Sequence, residues 1–211
     1  MQNSVVQAAN RFTARHLDRL EQAILLFAYI FTVQRLWPAD FSATDFYLFL
    51  LLFSEGVLVL LIMIRSPTDR ISVRWSDWAI GMAGSFLALA VSKGGHAIAP
   101  TAGTLLMITG VCIHVGAKLS LWRSFGVVAA DRGIRTRGLY RFIRHPMYAG
   151  YIVSHAGFLL LAPSWWNLGV YLCCWALLVA RIFAEERVLS NDPVYVELKK
   201  RVRYRLIPGI F

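Results

Sequence analysis

Six apolar segments of membrane length, or close to it, leave this 211-residue chain few folds to choose from. They are Gln22–Trp37, Phe46–Ile64, Trp78–Ser92, Thr101–Leu121, Met147–Leu161 and Trp165–Phe183, the third and fifth being short. A hydrocarbon core roughly 30 Å thick takes about 20 helical residues to cross. Within it each backbone N–H and C=O must be satisfied by its own segment, which selects helices. The expected fold is an all-α, polytopic transmembrane bundle of about six spans. A composition of 57% hydrophobic and only 16% charged residues excludes an ordinary soluble globule. No repeat, low-complexity tract or linker divides the chain, so residues 1–211 read as a single integral membrane domain. Within it, 1–122 read as an N-terminal scaffold and 123–211 as the region that gathers arginine, histidine, tyrosine and glutamate.

The net charge of +10 raises nucleic acid as a partner, but the bases do not form one patch. Arg11, Arg15 and Arg19 precede the first segment, and Arg65, Arg70 and Arg74 follow the second. Six arginines lie from Arg123 to Arg144, and seven bases from Arg181 to Arg205. The connections Pro38–Asp45, Gly94–Pro100 and Pro163–Ser164 carry no Lys or Arg, and only Arg35, Lys93 and Lys118 fall elsewhere. By the positive-inside rule both termini and the two basic loops are expected in the cytoplasm, which six crossings make self-consistent. The chain then reads as a multi-pass protein of a bacterial inner membrane or an endomembrane, its charge serving topology and anionic headgroups rather than nucleic acid.

Cys112, Cys173 and Cys174 all fall in apolar segments, without metal-ligand spacing, and read as packing residues. The first twenty residues lack the layout of a cleaved signal peptide and are expected to form an interfacial amphipathic helix with Phe12, Leu17 and Leu20 toward lipid. Arg65–Trp75 reads as a plain loop opened by a Ser66-Pro67-Thr68-Asp69 turn, with no part in chemistry.

The chemistry-bearing feature is the charged collar Arg144-His145-Pro146-Met147-Tyr148-Ala149-Gly150, answered downstream by Arg181 and Glu185-Glu186. Such residues are costly where helices leave a bilayer, so their clustering marks a site. Proline suits the first position of a helix and pushes His145 toward an extended conformation. The exposed N–H groups of that helix start would attract a carboxylate or phosphate. The last two segments form a hairpin around Pro163–Asn167, with Trp165 and Trp166 as an aromatic anchor at the far interface. Pro146 and Arg181 each lie about seventeen residues from its tip, or roughly 26 Å, so antiparallel helices bring Arg181 level with His145-Pro146 and place Glu185 level with Phe142. Arg181 and Glu185, four apart, share a helix face. Glu185 suits an ammonium or sulfonium-bearing amino acid, Arg181 a carboxylate, and Tyr140 and Tyr148 a flat heterocycle and sugar oxygens. Together they outline a pocket for a polar, purine-bearing cofactor entered from water.

The run Arg132-Gly-Ile-Arg-Thr-Arg-Gly-Leu-Tyr-Arg-Phe-Ile-Arg-His-Pro-Met-Tyr-Ala-Gly150, with Arg181-Ile-Phe-Ala-Glu-Glu-Arg-Val-Leu189 and Tyr195…Arg201-Val-Arg…Ile207-Pro208, resembles the isoprenylcysteine carboxyl methyltransferase family. Phospholipid methyltransferases are similar in the same region. The resemblance spans roughly Arg123 to Pro208. It implies S-adenosyl-L-methionine as cofactor, held by Arg132, Gly133, Ile134, Arg135, Tyr140, His145, Pro146, Met147, Tyr148, Glu185 and Glu186. Arg181 would face the methyl acceptor, and His145, Arg181 and Glu185 are the candidate catalytic residues; no metal is implied. Leu198 stands where the family commonly has a tyrosine. The implied reaction is in-line transfer of a methyl group, which needs alignment and desolvation more than acid or base groups. A carboxylate acceptor needs no base; for an amine or thiol, His145, Glu185 and Glu186 are the nearest candidates. The acceptor would be lipophilic and enter sideways from the bilayer: an isoprenylcysteine-like carboxylate, a phospholipid amine or a small hydrophobic molecule.

Glu55, His114, Lys118 and His155 lie inside apolar segments, where a charge is a hint of function. Lys118 is expected to snorkel toward water, Glu55 to pair with a neighbouring helix or be protonated in place, and His155 to be first among them along an acceptor's path. A competing class is a reductase similar to the membrane sterol reductases, with Arg132, Arg135, Arg137, Arg141 and Arg144 holding a nicotinamide dinucleotide phosphate.

Overall fold

The computed structural model describes residues 2–37, 46–68, 70–92 and 95–211, with side chains at 15–34, 37, 49–50, 52–68, 70–92 and 95–211. The side chains of Arg11, Phe12 and Arg35, Lys93, Gly94 and the connection Pro38–Asp45 lie outside the described residues.

Seven α-helices are described: α1 Gln2–Leu36, α2 Phe46–Ile64, α3 Trp75–Phe86, α4 Pro100–Leu121, α5 Pro146–Leu161, α6 Trp165–Leu189 and α7 Pro193–Arg201. Each apolar segment carries a helix. Two regions, Pro100–Ser124 and Trp165–Leu189, are long and apolar enough to cross a membrane; Leu52–Ile64 and Pro146–Leu161 are shorter apolar helices. The third segment is short because α3 gives way to a 3₁₀ turn over Leu87–Ala90. Among the described residues the only strand-like pairing is the antiparallel bridge between Ile71 and Ala130.

The tightest packing joins α4 to α5. A Cβ added to Gly150 would lie 2.5 Å from the backbone N of His114, and one on Gly157 2.5 Å from that of Met107. Gly110 meets the backbone of Ser154 in the same way. Glycines spaced seven apart on both helices (103 and 110, 150 and 157) thus let two backbones touch, the small-residue contact that replaces hydrophobic drive between helices in lipid. At the hairpin tip the Ser164 hydroxyl caps α6 by accepting from Asn167 N–H at 3.0 Å. Buried Asn167 ties Ser92 and Ala162 together through its amide, donating to their carbonyls at 3.1 and 2.8 Å. Trp165 and Trp166 stand exposed beside it.

The first helix differs from the expectation of an interfacial element. It runs unbroken into the first apolar segment, and while Leu20 is exposed, Leu17 packs on the protein near Ile71, Trp78 and Val128. The reason is on its other residues: Asp18 and Glu21 are buried against the rest of the chain, which fixes the helix face.

Candidate active site: a cavity at the basic end

Arg123–Arg144, the Arg65–Trp75 loop and the C-terminal tail meet at one end of the bundle. Pro146 occupies the first turn of α5, with His145 in a non-helical conformation before it. The tail fixes this entry: Arg144 N–H donates to the Tyr204 carbonyl at 3.0 Å and His145 N–H to that of Arg205 at 2.9 Å. Opposite, α6 continues six residues past Phe183, to Leu189, and so carries Arg181, Glu185 and Glu186 on one rigid rod.

Glu185 is the centre of the arrangement. One carboxylate oxygen accepts the Tyr148 hydroxyl and lies 3.6 Å from Arg181 Nη2; the other lies 3.7 Å from His145 Nδ1. The Arg181 guanidinium sits 5.2 Å from the centre of the Tyr148 ring and donates to the Val127 carbonyl at 2.9 Å. The rings of His145 and Tyr148 stack with centroids 5.7 Å apart. Residue counting places Glu185 level with Phe142, yet its carboxylate meets Tyr148. Side chains lean toward the N-terminus of their own helix, so in this antiparallel pair Glu185 leans back toward the tip while Tyr148 leans toward the basic end.

These groups border a cavity of about 750 Å³, open solvent at its mouth included. Arg132, Gly133, Ile134, Arg135, Tyr140, His145, Met147, Tyr148 and Glu185 line it, with Val128, Leu189, Tyr195 and Leu198 as further wall. Pro146 and Glu186 do not, and Arg181 borders a different cavity. Glu185 is the only acid among the lining residues described. Burial, with Glu185 nearby, holds the Tyr140 phenol well above its usual range, and burial next to Glu186 raises that of Tyr195. Both therefore remain neutral donors.

The arginine-rich lead-in contributes in an unanticipated way. The Arg132 side chain is turned inward, its Nη2 2.5 Å from Asp18 and 3.7 Å from Glu21. Asp131 accepts from Gly133 N–H at 3.0 Å, and Gly133 adopts φ 91°, open to glycine at little cost. Arg132 thus anchors the Arg132–Arg135 stretch along the cavity, and Arg135 Nε donates to the hydroxyl of Ser124, another lining residue, at 3.2 Å. Neighbouring Gly126 leaves room for that anchor, since a Cβ there would meet the Arg132 guanidinium.

Glu186, one residue from Glu185 and so about 100° around the helix, has a different environment. It accepts from Arg144 Nε at 2.8 Å and from Tyr195 at 3.3 Å, and lies 3.3 Å from His145 Nε2 and 3.0 Å from Arg205 Nη2. It knots the collar, α6, α7 and the tail.

Sequence reasoning passed over Asp18, Glu21, Arg65 and Asp77. Glu21 accepts from Val127 and Val128 N–H at 2.8 and 3.0 Å, and Arg65 pairs with Asp18 and Glu21 at 2.7 and 2.8 Å. The Arg65–Trp75 loop, expected to be plain, pairs with the cavity loop: Ser72 N–H to Ala129 C=O and Asp131 N–H to Arg70 C=O, each 2.9 Å. Asp77 binds Ser72 and Arg187. Two acids on one face of an otherwise basic segment, Asp18 and Glu21, were the available signal.

Deeper in the bundle a second cavity of about 720 Å³ is bordered by Glu55, His114, Tyr151, His155, Tyr171 and Arg181, among others. Tyr148 and Glu185 line the outer cavity and Arg181 the inner one, so their cluster stands between the two. Lys118 does not snorkel: it is fully buried and donates to the Ser54 carbonyl at 3.0 Å.

Residues 98–192 match the model of the phospholipid methyltransferase family, PEMT. The fold is that of a eukaryotic intramembrane Ras methyltransferase, the isoprenylcysteine carboxyl methyltransferase. Its structure superposes with a TM-score of 0.54 at 19% identity, covering 89% of this chain and 75% of that one. The resemblance carried by the collar and by Arg181…Glu186 therefore holds for the matched region and for the fold. No curated protein matches the chain.

Proposed function

We propose that the protein is an S-adenosyl-L-methionine-dependent methyltransferase of a membrane, with six crossings and its cofactor cavity and both termini on the cytoplasmic side. The observation that carries this reading is the position of Arg181–Tyr148–Glu185 between two cavities, one at the basic end and one inside the bundle. A methyl donor held at the basic end and an acceptor arriving from the bilayer would meet across that cluster.

The outer cavity suits the donor's chemistry. Glu185 supplies the single carboxylate for an ammonium or sulfonium, Tyr140 and Tyr195 supply neutral hydroxyls, and Val128, Ile134, Leu189 and Leu198 supply apolar wall for a flat base. When bound, S-adenosyl-L-methionine supplies an electrophilic methyl group on sulfonium sulfur. Glu185 orients the donor, with Tyr148 and His145 fixing the carboxylate's rotamer. Arg181, held by Val127 and stacked on Tyr148, positions the acceptor and closes the route for water between the cavities.

The reductase reading loses part of its basis in side chains. Of the five arginines assigned to a dinucleotide phosphate, Arg132 and Arg144 are consumed by Asp18, Glu21 and Glu186. Titration of the purified protein in detergent with S-adenosylhomocysteine, and separately with reduced dinucleotide, tests the proposal: binding of the dinucleotide alone would sink it. Glu185→Ala is expected to abolish S-adenosylhomocysteine binding, whereas Arg181→Ala keeps it and loses methyl transfer to acceptors in a membrane extract.

A further inference from the structure

We infer that the inner cavity takes the uncharged, proton-bearing head of the acceptor, a hydroxylated aromatic ring, with His114 as its hydrogen-bond partner. This rests on the methyltransferase reading for its purpose, but on the cavity alone for its chemistry.

The argument begins with charge. Arg181, the cation on the lining, pairs with Glu185 at 3.6 Å, and buried Lys118, outside the lining, donates to the Ser54 carbonyl at 3.0 Å within electrostatic reach of Glu55. With the balance closed, a carboxylate or ammonium head entering here would be an uncompensated charge in a low-dielectric interior, which is heavily disfavoured. An uncharged head incurs no such penalty. This departs from both the carboxylate and the phospholipid amine as acceptors.

Hydrogen bonding narrows the class further. His114, 2% exposed, borders the cavity, and its Nδ1 has no partner among the described residues. The small hydroxyls on the wall are engaged already, Ser85 on the Gly81 carbonyl, Ser154 on that of Tyr151 and Ser54 on Glu55. His155 accepts from Trp175 Nε1 at 3.2 Å, so its Nδ1 is occupied where that of His114 is not. A buried, unpaired imidazole nitrogen is a place for a guest's O–H.

Shape gives the last constraint. His114 stacks on Tyr151 at 4.7 Å, Tyr151 on His155 at 6.1 Å and His155 on Tyr171 at 4.1 Å, forming a wall of parallel rings. Such a wall favours a flat guest over a saturated chain.

The test uses three probes of one size on the full chain in detergent: 4-pentylphenol, 4-pentylbenzoate and 4-pentylbenzylamine, followed by calorimetry and by the fluorescence of Trp175, which touches the ring wall. The phenol is expected to bind at least tenfold more tightly than either charged probe. His114→Phe, which keeps the stacked ring, should lose at least tenfold of the phenol affinity and bind S-adenosylhomocysteine as before. Glu55→Gln, which leaves Lys118 unmatched, should shift preference at least fivefold toward the benzoate. Equal or tighter binding of a charged probe, no binding of the phenol, or an unchanged preference in Glu55→Gln each overturns the inference. So does unchanged phenol affinity in His114→Phe; should that variant not fold, the Glu55→Gln shift decides alone. Failure of S-adenosylhomocysteine to bind the unaltered protein refutes the methyltransferase reading instead and leaves the probe ranking to judge the cavity.

Discussion

Two carboxylate–arginine clusters flank the outer cavity, and they differ in what is left over. Around Asp18 and Glu21 the charges are matched internally: two arginines and two backbone N–H groups converge on two carboxylates whose side chains are 9% and 0% exposed. Around Glu185 the partners are longer, 3.6 Å to Arg181 and 3.7 Å to His145, the side chain is 20% exposed, and it faces empty volume. The same residue types thus make a brace in one place and, in the proposed function, a receptor in the other. Access to the cavity, not charge, separates them: Glu185 lines it, whereas Asp18 and Glu21 do not.

The largest effect should come from breaking the brace. Glu21→Ala strands two N–H groups and leaves Arg65 and Arg132 sharing Asp18 alone in a buried setting, and losing one partner of a buried pair costs about 3–5 kcal/mol. Thermal unfolding in detergent should show that loss; an unchanged melting profile would mean that the cluster holds nothing together. Next comes the receptor. Glu185→Ala is expected to weaken S-adenosylhomocysteine by about 100-fold or more, at least ~2.7 kcal/mol, with melting shifted far less than in Glu21→Ala. If both variants lose stability equally and binding equally, the contrast between the clusters disappears.

That contrast also explains what sequence could and could not convey. The apolar runs mark the helices because lipid demands continuous hydrophobicity, and the Trp165–Asn167 turn fixes the return of Arg181 to His145-Pro146 because helical rise is constant. The seven-residue glycine spacing on α4 and α5 was readable by the same arithmetic, yet it carries no charge to draw attention. The Glu21 contacts span 106 and 107 positions to Val127 and Val128. No local periodicity encodes such a partner, so a buried brace looked like an interfacial helix. Glu185 and Glu186 fall on different faces because adjacent residues turn by 100°, and only the neighbouring elements reveal which face is walled and which is open.

Glu186 offers an intermediate case, walled like Glu21 but adjoining the receptor. Glu186→Gln retains size and removes the charge opposite Arg144 and Arg205, and bonds to charged groups are worth about 1.5–3 kcal/mol. Melting should therefore fall by about 2 kcal/mol, and the tail should become protease-sensitive because the Arg144–Glu186–Arg205 knot secures it. S-adenosylhomocysteine affinity should fall by less than in Glu185→Ala; an equal fall would place Glu186 inside the receptor.

The smallest effect is the most specific. Tyr140 lines the cavity, and its hydroxyl, kept neutral by burial and by Glu185, is a donor rather than a charge. Removing one neutral hydrogen bond costs about 1 kcal/mol, so Tyr140→Phe should weaken S-adenosylhomocysteine by about fivefold without moving the melting temperature. The sign of the pH dependence follows from the raised pKa. The neutral phenol is present below that value and lost only as pH rises through it, well above the usual range for tyrosine. The ratio of affinities between wild type and Tyr140→Phe should therefore stay flat from about pH 7 to 9. A ratio that falls toward one across that interval would show a phenol ionising at its ordinary pKa, hence a wetter cavity and a weaker contrast between the brace and the receptor.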